Sequence, residues 1–100
     1  MGMDLKPIEP SDDAPSNERG IVYGRYNWKG WDALINYLNK WELDTSEFLS
    51  YNDGDVISDE TCKEVANAIE ANLHTLSQED KEWLQPHIIL WRTCGGYEQW

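Results

Sequence analysis

The chain has 100 residues, enough for one domain, since a domain carries one core in roughly 50–250 residues. Nineteen acidic residues against eight Lys and Arg give a formal charge of −11 and a pI of about 4.3. That balance excludes ordinary binding to DNA, RNA or an anionic membrane, each of which calls for an excess of Lys and Arg. No apolar run reaches the roughly 18–20 residues of a membrane span. Residues 1–19 lack the basic and apolar regions of a signal peptide, and Lys6 stands where a myristoylation motif needs Ser or Thr. The expectation is a soluble, cytoplasmic protein.

The first 19 residues hold three of the four prolines (Pro7, Pro10, Pro15), five acids (Asp4, Glu9, Asp12, Asp13, Glu18) and no aromatic residue. Such a segment cannot bury enough apolar surface to offset about 1–2 kcal/mol of backbone entropy per residue. Residues 1–19 are therefore expected to form a disordered, Pro-containing acidic tail, and residues 20–100 a single helical domain. Counting Lys6 and Arg19, the tail carries −3 and the domain −8, so most of the charge belongs to a folded surface.

Residues 20–26 are β-branched and aromatic and read as an extended segment. No partner strand is visible, and a lone strand makes no sheet. Asn27 can cap a helix over 28–42, on which Trp28, Trp31, Leu34, Ile35, Leu38 and Trp41 share one stripe. Gly30 inside it marks either a late start or a close helix approach. Glu47-Phe48-Leu49 suggests one helical turn, and Asn52-Asp53-Gly54-Asp55 a reverse turn. Ser58 then caps a second helix running to about residue 75, with Asp59 and Glu60 at the positive end of its dipole. Cys62, Val65, Ala66, Ile69, Leu73 and Leu76 form its buried stripe.

Ser77 caps a third helix, which Pro86 breaks. Its second half, 86–94, is apolar on more than one face and is expected to be the most buried helix, stopped by Gly95-Gly96. The fold class read from these signals is all-α, a compact bundle of three to four short helices with a mobile N-terminal tail. Six tryptophans would enrich its small core. Cys62 and Cys94, without CxxC spacing or a secretory signal, are expected as reduced, buried thiols.

Motifs for chemistry are sparse. With Gly54 as the sixth position of a calcium loop, Asp53 and Glu60 fit positions five and twelve. Leu49 and Tyr51, however, fall on positions one and three, where oxygen ligands are needed. His74 and His87 are 13 residues apart without ligand spacing, and no HExxH, GxSxG, Walker loop or GxGxxG is present. No catalytic residue, cofactor-binding residue or metal ligand is nominated. The residues nominated for partner binding are Asp53, Asp55, Asp59 and Glu60, from the densest acidic stretch, together with Tyr97 and Trp100 at the aromatic C-terminal end. Trp and Tyr are favoured anchors at interfaces, yet both could equally fold back over the helices after the double glycine. The sequence leaves that choice open.

Three segments in order carry a resemblance: Tyr26-Asn27-Trp28 to Trp31, Tyr51-Asn52-Asp53-Gly54-Asp55, and Trp91-Arg92-Thr93-Cys94-Gly95-Gly96-Tyr97-Glu98-Gln99-Trp100. Over about residues 22–100 the chain resembles a group of small uncharacterised bacterial and phage proteins. Some members of that group are longer, with a Cys-containing insertion after the second helix that this chain lacks. The resemblance implies one compact unit and no particular activity.

The function expected from these readings is a small, acidic, non-catalytic protein–protein interaction module of the accessory or inhibitor kind found in phages and mobile elements. Its partner would be a protein with a basic surface, met without direct nucleic-acid or membrane contact. Two alternatives are weighed beside it. One is a nucleic-acid mimic that places carboxylates like phosphates, using the 53–64 stretch or Glu79, Asp80 and Glu82. The other is an enzyme or divalent-ion site in which Asp53 and Asp55 converge with a histidine.

Overall fold

The computed structural model describes residues 2–14, 24–48 and 54–100. Its elements run β1 (Gly2–Pro7), β2 (Gly24–Asn27), α1 (Trp28–Lys40), β3 (Val56–Ile57), α2 (Asp59–Asn72), a 3-10 turn (Leu73–Thr75), α3 (Gln78–Leu84), α4 (His87–Thr93) and β4 (Tyr97–Gln99). The strands pair into one antiparallel sheet in the order β2-β1-β4-β3. The fold is therefore α+β, which corrects the all-α bundle expected from helical periodicity.

The correction falls hardest on the N-terminus. Residues 2–7, expected in a mobile tail, form one of the two central strands of the sheet. Met3 and Leu5 are buried while Asp4 and Lys6 face the other way, the period-two pattern of a strand with one covered face. Averaging composition over 19 residues hid that short alternation among prolines and acids. Pairing continues past the strand: the Ile8 N–H donates to Gly96 O at 3.0 Å, Glu9 N–H to Cys94 O at 3.2 Å and Ser11 N–H to Thr93 O at 2.9 Å. Residues 15–19 of the expected tail lie outside the described residues.

Register decides what each face of the sheet carries. Met3 lies opposite Tyr26, Leu5 opposite Gln99 and Ile57 opposite Tyr97, and all six are buried. The alternate set, Asp4 opposite Arg25 and Glu98 opposite both Lys6 and Val56, forms the outer face. On the covered side, Trp31, Leu34 and Leu38 of α1 join Cys62, Val65, Ala66 and Ile69 of α2 and Ile88 and Trp91 of α4 in the core. Aromatic rings run through it in sequence. Trp31 stacks on Phe48 (5.4 Å between centroids), Phe48 on Trp91 (5.9 Å), and Trp91 meets Tyr97 edge-on (5.0 Å). Of the six tryptophans, Trp31 and Trp91 are fully buried, Trp28, Trp41 and Trp83 half-buried, and Trp100 exposed.

The helices follow their capping signals. Asn27, Ser58 and Ser77 accept from the backbone N–H groups of Gly30, Thr61 and Asp80, as N-caps do. The break expected at Pro86 separates α3 from α4, but Ile89 of α4 stays exposed, so that helix is not buried all round. After α4, Gly95 (φ 70°) and Gly96 (φ 103°) turn the chain into β4. A Cβ on Gly95 would lie 2.1 Å from the Glu9 carbonyl oxygen, so both conformation and space require glycine there. No helix among the described residues is long and apolar enough to cross a membrane.

Candidate functional site: the outer face of the sheet and the cleft beside it

Strand β4 separates the two nominated aromatic residues by the pleat. Tyr97 points inward and is fully buried, donating to Leu90 O at 3.3 Å, with burial pushing its phenol well above the usual range. Trp100, three residues on, points outward and is 46% exposed. Its N–H donates to Asp4 O at 2.8 Å, its ring lies against Gly54, and Lys6 Nζ sits 5.4 Å from the ring centroid. On the same face Val56 is 49% exposed, and at its margin Ile8 is 44% exposed. Trp100 and Val56 are thus exposed large apolar side chains on the uncovered face of the sheet.

The acidic nominees divide. Asp53 lies outside the described residues. Asp55 is exposed beside Val56, and its carbonyl accepts from the Gln99 N–H at 2.9 Å. Asp59 and Glu60 belong instead to the first turn of α2, where Asp59 pairs with Lys63 at 2.9 Å and Glu60 faces solvent. Among the described residues no ion pair engages Asp55, Glu60 or Glu98, whereas Asp4 pairs with Arg25 (3.2 Å) and Glu70 with Arg92 (3.4 Å). The structure therefore leaves Asp55 exposed just before β3, next in sequence to Val56, and places Asp59 and Glu60 on a neighbouring element. Sequence reasoning missed Lys6, Ile8, Val56 and Glu98, because their shared face exists only once β1, β3 and β4 pair.

Gln99, buried and polar, donates through Nε2 to Glu47 O (2.8 Å) and Asp55 O (3.3 Å). Those two carbonyls flank the segment that contains Asp53. The Glu47 carboxylate in turn accepts from the Ser58 N–H at 3.0 Å and from the Ser58 and Thr61 hydroxyls. Partial burial raises its pKa, but these donors outweigh it and hold the carboxyl below the usual range. Glu47 thus extends the cap of α2 from 11 residues upstream, a contact without a local signature.

Beside the sheet, α1 and α3 border an open cleft of about 340 Å³ lined by Arg25, Lys29, Gly30, Asp80 and Trp83 among others, adjoining a second of about 300 Å³ that reaches Lys40. Gly30 keeps it shallow, since a Cβ there would meet the Trp83 ring at 3.3 Å. This is the close helix approach that Gly30 left open in the sequence. Behind the cleft, Trp91 Nε1–H donates to the Tyr26 oxygen at 3.0 Å, and the Tyr26 hydroxyl is hydrogen-bonded to His87 Nδ1 at 2.6 Å. Burial pushes the Tyr26 phenol up and the His87 imidazole down, which keeps both neutral. His74 is exposed in the 3-10 turn. Among the described residues no three His, Cys, Asp or Glu side chains converge as a metal-ligand set, and Cys62 and Cys94 are buried thiols. No family model, curated protein or solved structure matches this chain.

Proposed function

We infer that this chain is a non-catalytic protein-binding module that holds a partner with a basic surface against the outer face of its sheet, with Trp100 as the anchor. The observation that carries the reading is the half-exposed Trp100 on one sheet face with Val56 and Glu98, a carboxylate that forms no ion pair among the described residues. An aromatic centre supplies contact area at low entropic cost, and acidic neighbours steer a cationic surface toward it. The small size and the acidity support a cytoplasmic accessory or inhibitor role of the phage and mobile-element kind. Mimicry of nucleic acid draws less support, because Lys63 and Arg92 interrupt the carboxylates of α2 through their pairs with Asp59 and Glu70.

The test is affinity capture from lysate of the encoding cell, nuclease-treated and at low salt, with wild type, Trp100→Ala and Glu98→Lys baits. A partner retained by wild type, lost with both variants and released as salt rises is the expected result. Equal capture by all three baits, or no capture, would refute the reading. Truncating a buried anchor of this type costs about 2 kcal/mol or more of binding, roughly thirtyfold in Kd.

A further inference from the structure

We propose that the groove between α1 and α3 is a second, independent binding site, which takes an extended peptide carrying a cationic residue midway between two acidic ones. The groove is the union of the two clefts, since Ala33 and Asp80 line both. Along it the charges alternate. Arg25, Lys29 and Glu79 line the first cleft only, Asp80 stands where the two clefts meet, and Lys40 stands at the far end in the second. On a chain of net charge −11, this is a local arrangement with cations at both ends. Lys29, Ala33 and Lys40 recur at helical spacing on α1, so they share its groove-facing side. The wall is pinned, because the Tyr37 hydroxyl donates to Asp80 Oδ2 across the two helices and fixes the central carboxylate.

Length selects the ligand. Eleven residues of helix separate Lys29 from Lys40, about 16 Å at 1.5 Å per residue. In an extended peptide, alternate side chains point to one side, and positions one and five lie about 13 Å apart. Acidic side chains at those positions reach the two lysines while a cation at position three meets Asp80 and Glu79. The half-buried Trp83 at one end offers a face to the peptide backbone.

The probe is the blocked, fluorescein-labelled peptide Glu-Ser-Lys-Ser-Glu, titrated by polarisation against the full chain at low ionic strength, beside the sign-reversed Lys-Ser-Glu-Ser-Lys. The protein's overall charge by itself favours the reversed, net-positive peptide, so a preference for the acidic one reports the groove. The expected result is tighter binding of Glu-Ser-Lys-Ser-Glu, weakened about tenfold by Lys40→Glu. Binding to that variant is regained when one terminal Glu of the peptide is exchanged for Lys. Lys40 is exposed, so the variant keeps its fold, which its circular dichroism and melting midpoint verify. A preference for the reversed peptide, or wild-type affinity in Lys40→Glu, or no saturable binding of Glu-Ser-Lys-Ser-Glu, overturns the proposal. Trp100→Ala leaves this titration unchanged, which separates it from the outer-face reading.

Discussion

At the scale of single residues, the Tyr26, His87 and Trp91 contacts make a pH-sensitive point in an otherwise apolar core. One hydroxyl accepts from the indole and is hydrogen-bonded to the imidazole, and only a neutral imidazole can take that hydroxyl's proton as acceptor. Burial places the folded-state pKa of His87 below its unfolded value of about 6.5. For a base shifted downward, stability is complete above the unfolded pKa. It falls as the pH drops below about 6.5, because the unfolded chain takes up the proton first, and the loss levels off beneath the folded-state pKa. Urea unfolding at pH 7 and pH 5 should therefore show a larger loss for the wild type than for His87→Asn, whose amide oxygen can accept from Tyr26 without titrating. Equal losses in the two proteins would show that His87 does not carry this effect. The lack of ligand spacing around His87 was legible in the sequence; its partner Tyr26, 61 residues upstream, was not.

At the scale of elements, caps and periodicity placed the helices, because Asn27, Ser58, Ser77 and Pro86 act on their own neighbours in sequence. The strands lacked such local information. β3 has two residues and β4 three, and β1 finds its partners only in residues 24–27 and 97–99. A strand stabilised wholly by distant pairing leaves only alternation as its mark, and in β1 that mark is Met3 and Leu5 against Asp4 and Lys6. The two readings of this segment make opposite claims about Leu5. As a fully buried residue of a central strand, Leu5→Ala should cost about 2–5 kcal/mol, measured as a shift in the urea midpoint; in a mobile tail the same change would cost nothing. The candidate patch inherits this limit, since Trp100 was legible as a residue type while Val56 and Glu98 became candidates only through register.

At the scale of the whole molecule, the acidity acquires a location. Several carboxylates are spent on internal structure: Glu47 caps α2, and Asp4, Asp59 and Glu70 pair with cations. Glu98 remains beside the exposed Val56 and Trp100 on a sheet whose two central strands are the first and last of the chain. The functional reading depends on that closure, because without β1 against β4 neither the Trp100 N–H contact to Asp4 nor the outer face exists. Amide hydrogen exchange of the free full-length protein, followed residue by residue by NMR, tests this most directly. Slow exchange is expected within residues 3–6 and 97–100, with protection approaching that of the buried helices. Exchange of residues 3–6 at the rate of an unstructured peptide would contradict the sheet and the site built on it.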